Sequence, residues 1–140
     1  MKILVAADGS KYTKRMLAYL AAHDEWLGAQ HQYTVFHGVL AVPHRAAAFV
    51  DPQVVKGYYD AEAQAVFKPI RAFFQKQGLE AVFVHKVGHP ADLIARFADA
   101  GRFDLLVMGS HGHGVLGNLV LGSVATKVLA QCSTPVLLVR

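Results

Sequence analysis

Apolar residues along this chain follow two rhythms in alternation. Lys2–Ala7 is a short, near-continuous apolar run, the pattern of a strand buried on both faces. Ser10 is placed to cap a following helix, in which Met16, Leu17, Leu20, Ala21 and Leu27 recur at helical spacing until Gly28. Gln32–Leu40, rich in Tyr, Val and Phe, predicts a second strand, and Ala41–Asp51 a loop. Pro52 suits a helix start. Val55, Tyr59, Val66, Ile70 and Phe73 then share one face as far as Gly78, with Pro69 expected to kink or split the helix. A third strand over Glu80–Val87 leads to a short helix opened by His89-Pro90 and closed by Gly101. Phe103–Met108 and Pro135–Val139 complete the strands, with a helix from about Gly122 to Gln131 between them. Five strands alternating with four helices predict right-handed βαβ units. The fold class is therefore α/β: one domain over residues 1–140, a doubly wound five-stranded parallel sheet with helices on both faces. In such sheets ligands bind beyond the carboxyl ends of the strands, so chemistry is sought just after each strand.

Composition narrows the function. Of 140 residues, 54% are hydrophobic and 17% charged, which supports a packed core and excludes a mainly disordered chain. The formal charge of +4 is carried by residues scattered from Lys2 to Arg140, not by a stripe on one face, so nucleic acid is not an expected partner. The first apolar run is too short for a signal core. Leu105–Thr126 has no charged residue, but its glycines, serines and histidines argue against a membrane span. Cys132 is the only cysteine, without an activating base beside it in sequence; a buried, inert thiol and a reducing, cytoplasmic setting are expected.

The informative segment is Gly109-Ser110-His111-Gly112-His113-Gly114-Val115-Leu116-Gly117-Asn118-Leu119-Val120-Leu121-Gly122-Ser123. Five glycines lie between a strand and a helix. Glycine lets backbone approach a ligand without a Cβ clash, and an incoming helix end offers unpaired N–H groups to an anion. Gly112, Gly114 and Gly117 fit the dinucleotide pattern G-x-G-x-x-G, but Leu137 stands where an acidic residue belongs. From Gly117 onward the segment resembles a phosphate-binding loop, but Ser123 stands where the required lysine belongs. The third pattern is G-x-x-G, nine residues, then G-S: Gly109, Gly112, Gly122 and Ser123.

With that pattern the chain resembles the universal stress protein family, in its ATP-binding branch. The resemblance runs over the whole chain. It includes Ala6-Ala7-Asp8-Gly9-Ser10, His37, Gly88-His89-Pro90, Gly109-Ser110-His111-Gly112, Gly122-Ser123-Val124-Ala125 and Pro135-Val136-Leu137-Leu138-Val139-Arg140. It implies a Rossmann-like sheet of order 3-2-1-4-5. It also implies a site for ATP or another adenine nucleotide, with Mg²⁺ as a candidate companion, formed by Ala7, Asp8, Gly38, Val39, Met108, Gly109, His111, Gly112, His113, Gly122, Ser123 and Val124. Gly109, Gly112, Gly122 and Ser123 would meet phosphates and ribose. Asp8 would meet the adenosine side or a hydrated Mg²⁺, and the backbone of Gly38 and Val39 would meet adenine. A homodimer through the last strand is implied, since an apolar edge strand is a hazard unless covered.

Other side chains carry blander expectations. Asp8 has a second role open to it, capping the next helix with Ser10. His37 is expected to be a packed strand histidine. His111 and His113 form an H-x-H pair too small for a zinc site. No catalytic constellation is evident, so any ATP hydrolysis is expected to be slow, with autophosphorylation at Ser110 or Ser123 left open. The expected role is a nucleotide-dependent regulator of the stress response; the alternatives are a slow ATPase and a ligand-free interaction module. On sequence grounds, valine at position 122 should block phosphate binding while the fold largely survives, given an ordinary φ.

Overall fold

In the computed structural model, which describes residues 1–114 and 118–140, the elements follow the chain as β1 (Lys2–Ala6), α1 (Lys11–Ala21), β2 (Gln32–Leu40), α2 (His44–Ala47), α3 (Pro52–Lys76), β3 (Ala81–Gly88), α4 (Pro90–Ala100), β4 (Leu105–Gly109), α5 (Ser123–Gln131) and β5 (Val136–Val139). The strands form one sheet of order β3-β2-β1-β4-β5, and every pairing is parallel. This is the predicted class and the predicted order. β1 sits at the centre, paired on one side with β2 (Val5 opposite Val35) and on the other with β4 (Val5 opposite Val107).

Side chains leave the strands alternately, so each face collects its own core. Ile3, Val5, Tyr33, Val35 and Val107 meet Met16, Leu17 and Leu20 of α1 and Phe67, Ile70 and Phe74 of α3. Leu4, Ala6, Phe36, Leu106 and Met108 meet Ile94 and Ala98 of α4 and Ala125 and Val128 of α5. Phe36, Phe67, Phe74, Ile3 and Leu4 are fully buried, each contributing about 1.5–3 kcal/mol.

Three local expectations change. The first helix ends at Ala21, not near Gly28. His23 Nδ1 donates to the Tyr19 carbonyl at 2.7 Å and its ring stacks on Tyr19, drawing off a helical acceptor. Trp26 and Leu27 still pack on the core, because the Tyr33 hydroxyl accepts from Gly28 N and donates to the Trp26 carbonyl, fixing the turn that carries them. The second change is α2, one helical turn inside the segment expected to be a loop. The third is Pro69, which lies inside α3 without splitting it. It faces solvent, where the carbonyl it leaves unpaired reaches water, while Phe67, Ile70 and Phe74 hold the opposite face.

Asp99, near the end of α4, anchors the approach to β5. Its carboxylate accepts from the backbone N–H of Ser133 and of Thr134, both at 3.1 Å, and from the Thr134 hydroxyl at 2.9 Å. These bonds, the Ser133 amide foremost, hold its carboxyl below the usual carboxylate value.

Candidate functional site

The carboxyl ends of β1, β2 and β4 and the start of α5 surround a cavity of about 290 Å³, at the small end of ligand pockets (roughly 300–1,000 Å³). It lies where a doubly wound sheet places ligands, at the point where strand order reverses.

The β1–α1 loop brings Asp8 to it. Asp8 Oδ1 accepts from Ser10 N at 2.9 Å and from the Thr13 hydroxyl at 3.0 Å. Thr13 Oγ1 in turn accepts from the amides of Asp8 and Gly9, both at 3.2 Å, and Ser10 Oγ accepts from Tyr12 N at the start of α1. The capping role and the cavity role of Asp8 are thus divided between its two oxygens. Oδ1 braces the loop. Oδ2 faces Gly112, where a Cβ would stand 2.7 Å from it.

The segment after β4 folds over the same space. Ser110 is fully buried; its N–H donates to the Val139 carbonyl, and its hydroxyl lies 2.7 Å from His111 Nδ1. His111 Nε2 lies 2.8 Å from the Leu119 carbonyl, which can only accept, so Nε2 carries the proton and Nδ1 accepts from Ser110. By the same logic His113 Nε2 donates to the Asp8 carbonyl at 2.7 Å, tying the loop to β1. Gly112, between the two histidines, and Gly114, just after them, line the cavity; Gly117, the last glycine of the dinucleotide pattern and the first of the phosphate-loop one, lies outside the described residues.

α5 begins against this loop with no side chain capping it. Its first-turn N–H groups, at Ser123, Val124 and Ala125, therefore have no partner in their own helix, and all three residues line the cavity. Gly122 differs. Its N–H donates to the Ser110 carbonyl at 2.8 Å, so that amide is committed within the protein. Its φ is an ordinary −70°, but a Cβ there would stand 3.0 Å from His111 Cα and 3.3 Å from the Ser110 carbonyl oxygen. The close approach that requires this glycine is between two protein backbones.

Gly38 has an equivalent reason. A Cβ at 38 would stand 3.0 Å from Pro90 Cα, so β2 and the start of α4 touch through this position. Pro90 and Ile94 complete the wall beside it.

Ala7, Asp8, Gly38, Met108, Gly109, His111, Gly112, His113, Gly122, Ser123 and Val124 all line the cavity. Val39 does not; its side chain is fully buried on the α1–α3 face. His37 is buried as expected, its Nδ1 donating to the Ala7 carbonyl at 2.8 Å, and it also borders the cavity. Side chains that motif reasoning missed include Thr13, Leu40, Glu62, Pro90 and Ile94. Pro90 stood in a quoted motif; Glu62, in the middle of α3, carries no local signal.

An open α/β domain with a glycine-lined cleft and an uncapped helix start beyond its central strands is of the doubly wound class. Within that class the chain belongs to the universal stress protein family, whose family model matches residues 1–140. A universal stress protein of Thermus aquaticus, from the region 3′ of a QAH/OAS sulfhydrylase gene, is 34% identical over 99% of this chain and 97% of its own. Universal stress protein Slr1230 of Synechocystis is 31% identical over 99% of this chain but only 42% of its own length. The solved structure of protein MJ0577 of Methanocaldococcus jannaschii superimposes with a TM-score of 0.83, at 25% identity, over 99% of this chain and 94% of that one. More distant structures share the fold. An Arabidopsis thaliana family member with AMP bound has a TM-score of 0.72 at 17% identity, over 99% of this chain and 90% of its own. The Archaeoglobus fulgidus protein in complex with dAMP has a TM-score of 0.70 at 22% identity, covering 100% and 98%. A universal stress protein in complex with cAMP has the same TM-score and identity, covering 100% and 97%.

Proposed function

We propose that this protein binds an adenine nucleotide, ATP foremost, in the cavity beyond β1, β2 and β4, and that it works as a nucleotide-dependent regulator of the stress response. The observation that carries this reading is convergence. Eleven of the twelve residues expected at a nucleotide site from sequence border one cavity, together with the uncapped start of α5. The amides of Ser123, Val124 and Ala125 and the Ser123 hydroxyl are donors suited to a phosphate, and the helix end favours its charge. Gly38, Pro90, Ile94 and Met108 supply apolar lining for a base. Relatives of the same fold are complexed with AMP, dAMP and cAMP. Mg²⁺ would accompany a triphosphate as a hydrated ion beside Asp8 Oδ2, the oxygen not engaged in bracing the loop.

Turnover is not the expected business of this site. Among the described residues that line the cavity there is no lysine or arginine to stabilise charge on a transferring phosphoryl group. The Ser110 hydroxyl is buried and held by His111, which leaves Ser123 as the accessible hydroxyl beside the phosphates. The chain acts in the cytoplasm as a homodimer joined through β5, an edge strand whose Val136, Leu137 and Leu138 are only half-buried in the single chain. Among the described residues no helix is long and apolar enough to cross a membrane.

Denaturing the purified protein and running the supernatant on an anion-exchange column tests the binding. Co-eluting ATP, ADP or AMP is the expected result. ATP at 100 times its Kd should stabilise the fold by about 2.7 kcal/mol. A nucleotide-free supernatant together with an unmoved melting curve in millimolar Mg·ATP would reject the reading. ADP release within minutes would make the protein an enzyme instead.

A further inference from the structure

The lining of the cavity carries two carboxylates, Asp8 and Glu62, and, among the described residues, no lysine or arginine. An adenine nucleotide is an anion, so at long range these carboxylates repel it, and the uncapped start of α5 supplies only about half a positive charge. Any long-range attraction therefore comes from charges outside the lining.

α1 carries such charges. Its first turns hold Lys11, Lys14 and Arg15, all exposed, with no acidic residue in the first turn. Cations there oppose the helix dipole, which favours anions at an N-terminus, so helix stability does not account for them. None of the three makes an ion pair among the described residues. Their place in the fold is beside the site. Thr13, in the same turn, lines the cavity. Tyr12 packs on the glycine segment: its ring centre is 4.9 Å from that of His111, and a Cβ on Gly109 would stand 2.8 Å from Tyr12 Cβ. Lys11 Nζ and Arg15 Cζ lie 5.4 and 5.0 Å from the same Tyr12 ring centre. Arg15 thus stands within about one Debye length, about 10 Å at about 0.1 M salt, of His111, which lines the cavity.

We propose that Lys11, Lys14 and Arg15 form an electrostatic rim that steers the anionic ligand into the cavity and speeds its association without touching it once bound. The inference rests on the nucleotide reading above and concerns its kinetics. Steering of this kind raises an association rate by about 10–10³-fold, fades with salt and leaves dissociation nearly unchanged.

Stopped-flow fluorescence with methylanthraniloyl-ATP and Mg²⁺ measures association and dissociation separately. The proteins compared are wild type, Lys11→Gln/Arg15→Gln, and Lys76→Gln/Arg102→Gln, a control that removes the same charge at the amino ends of the strands, away from the cavity. All four side chains are exposed, so both variants should fold. At low salt the rim variant should associate about tenfold more slowly than wild type, with dissociation within about twofold, and the control should match wild type. The gap should close as salt approaches about 1 M, where the Debye length is about 3 Å. A rim variant that associates at the wild-type rate, a loss that falls on dissociation instead, a gap that salt leaves unchanged, or a control as slow as the rim variant overturns the inference with the nucleotide reading intact. Wild type that binds no nucleotide overturns the nucleotide reading, and the inference with it.

Discussion

Replacing Gly122 by valine separates two explanations of why a glycine begins α5. If the glycine only keeps space clear for a phosphate, the variant should fold normally and lose its ligand. The backbone geometry predicts more. A Cβ at 122 would lie 3.0 Å from His111 Cα, 3.3 Å from the Ser110 carbonyl oxygen and 3.6 Å from Gly112 N. All three are main-chain atoms, so no rotamer change relieves the contact, and valine adds two methyl groups. The start of α5 must move away from the loop, which breaks the bond from Gly122 N–H to the Ser110 carbonyl at 2.8 Å. Losing that bond costs about 1 kcal/mol and overpacking about 1–3 kcal/mol, together roughly 2–4 kcal/mol. For a chain of this length about 3–4 °C is lost per kcal/mol, so the melting temperature should fall by roughly 6–16 °C. Circular dichroism melts of wild type, Gly122→Ala and Gly122→Val measure this, with Mg·ATP titrations alongside. The alanine variant should fall between the other two. A valine variant that melts within about 2 °C of wild type would refute the backbone argument. If it also lost ATP, the simple phosphate-clearance explanation would stand.

Four further outcomes follow from the same geometry. Gly38→Val should destabilise the fold by about 1–3 kcal/mol and weaken nucleotide binding, because its side chain would press on Pro90, whose Cα is 3.0 Å from a Cβ there; an unchanged melt refutes it. Asp99→Asn should lower the melting temperature at neutral pH. The folded carboxyl lies below its ordinary value of 3.8, so its stabilisation is complete above that value and lost as pH falls through the lowered one; the gap to wild type should close there, and a gap constant with pH refutes the assignment. Burial and the neighbouring Asp99 carboxylate push the Cys132 thiol up, so alkylation at neutral pH should be slow in the native protein and faster in Asp99→Asn. Leu138→Lys on β5 should leave a folded monomer by size-exclusion chromatography if the edge strand joins two copies; an unchanged elution volume argues for another interface.

The α/β class, the five strands and their approximate limits were legible in the sequence because burial on two faces writes a local signature, a short apolar run bounded by turn residues. The glycine-rich segment was legible for a related reason, since an excess of glycine between a strand and a helix has few uses other than close approach. Where local pattern misled, a distant residue had intervened. Helical spacing carried the first helix on to Leu27, but Tyr33 from β2 holds Trp26 and Gly28 in a turn instead. Pro69 has the chemistry of a helix breaker, yet its solvent-facing position and the buried Phe67, Ile70 and Phe74 keep α3 whole.

By itself the sequence determined which segments are strands and helices and that ligand-facing glycines gather between β4 and α5, because those properties depend on neighbours a few residues apart. Only the tertiary structure decided what each group touches. It divided Asp8 between the loop and the cavity and committed the Gly122 amide to Ser110. It made Gly38 a contact for Pro90 and brought Glu62 of α3 to the cavity lining. Gly38 and Pro90, like Asp8 and Gly112, lie tens of positions apart along the chain. Such pairings are set by how helices cross a twisted sheet, which no spacing along the chain records.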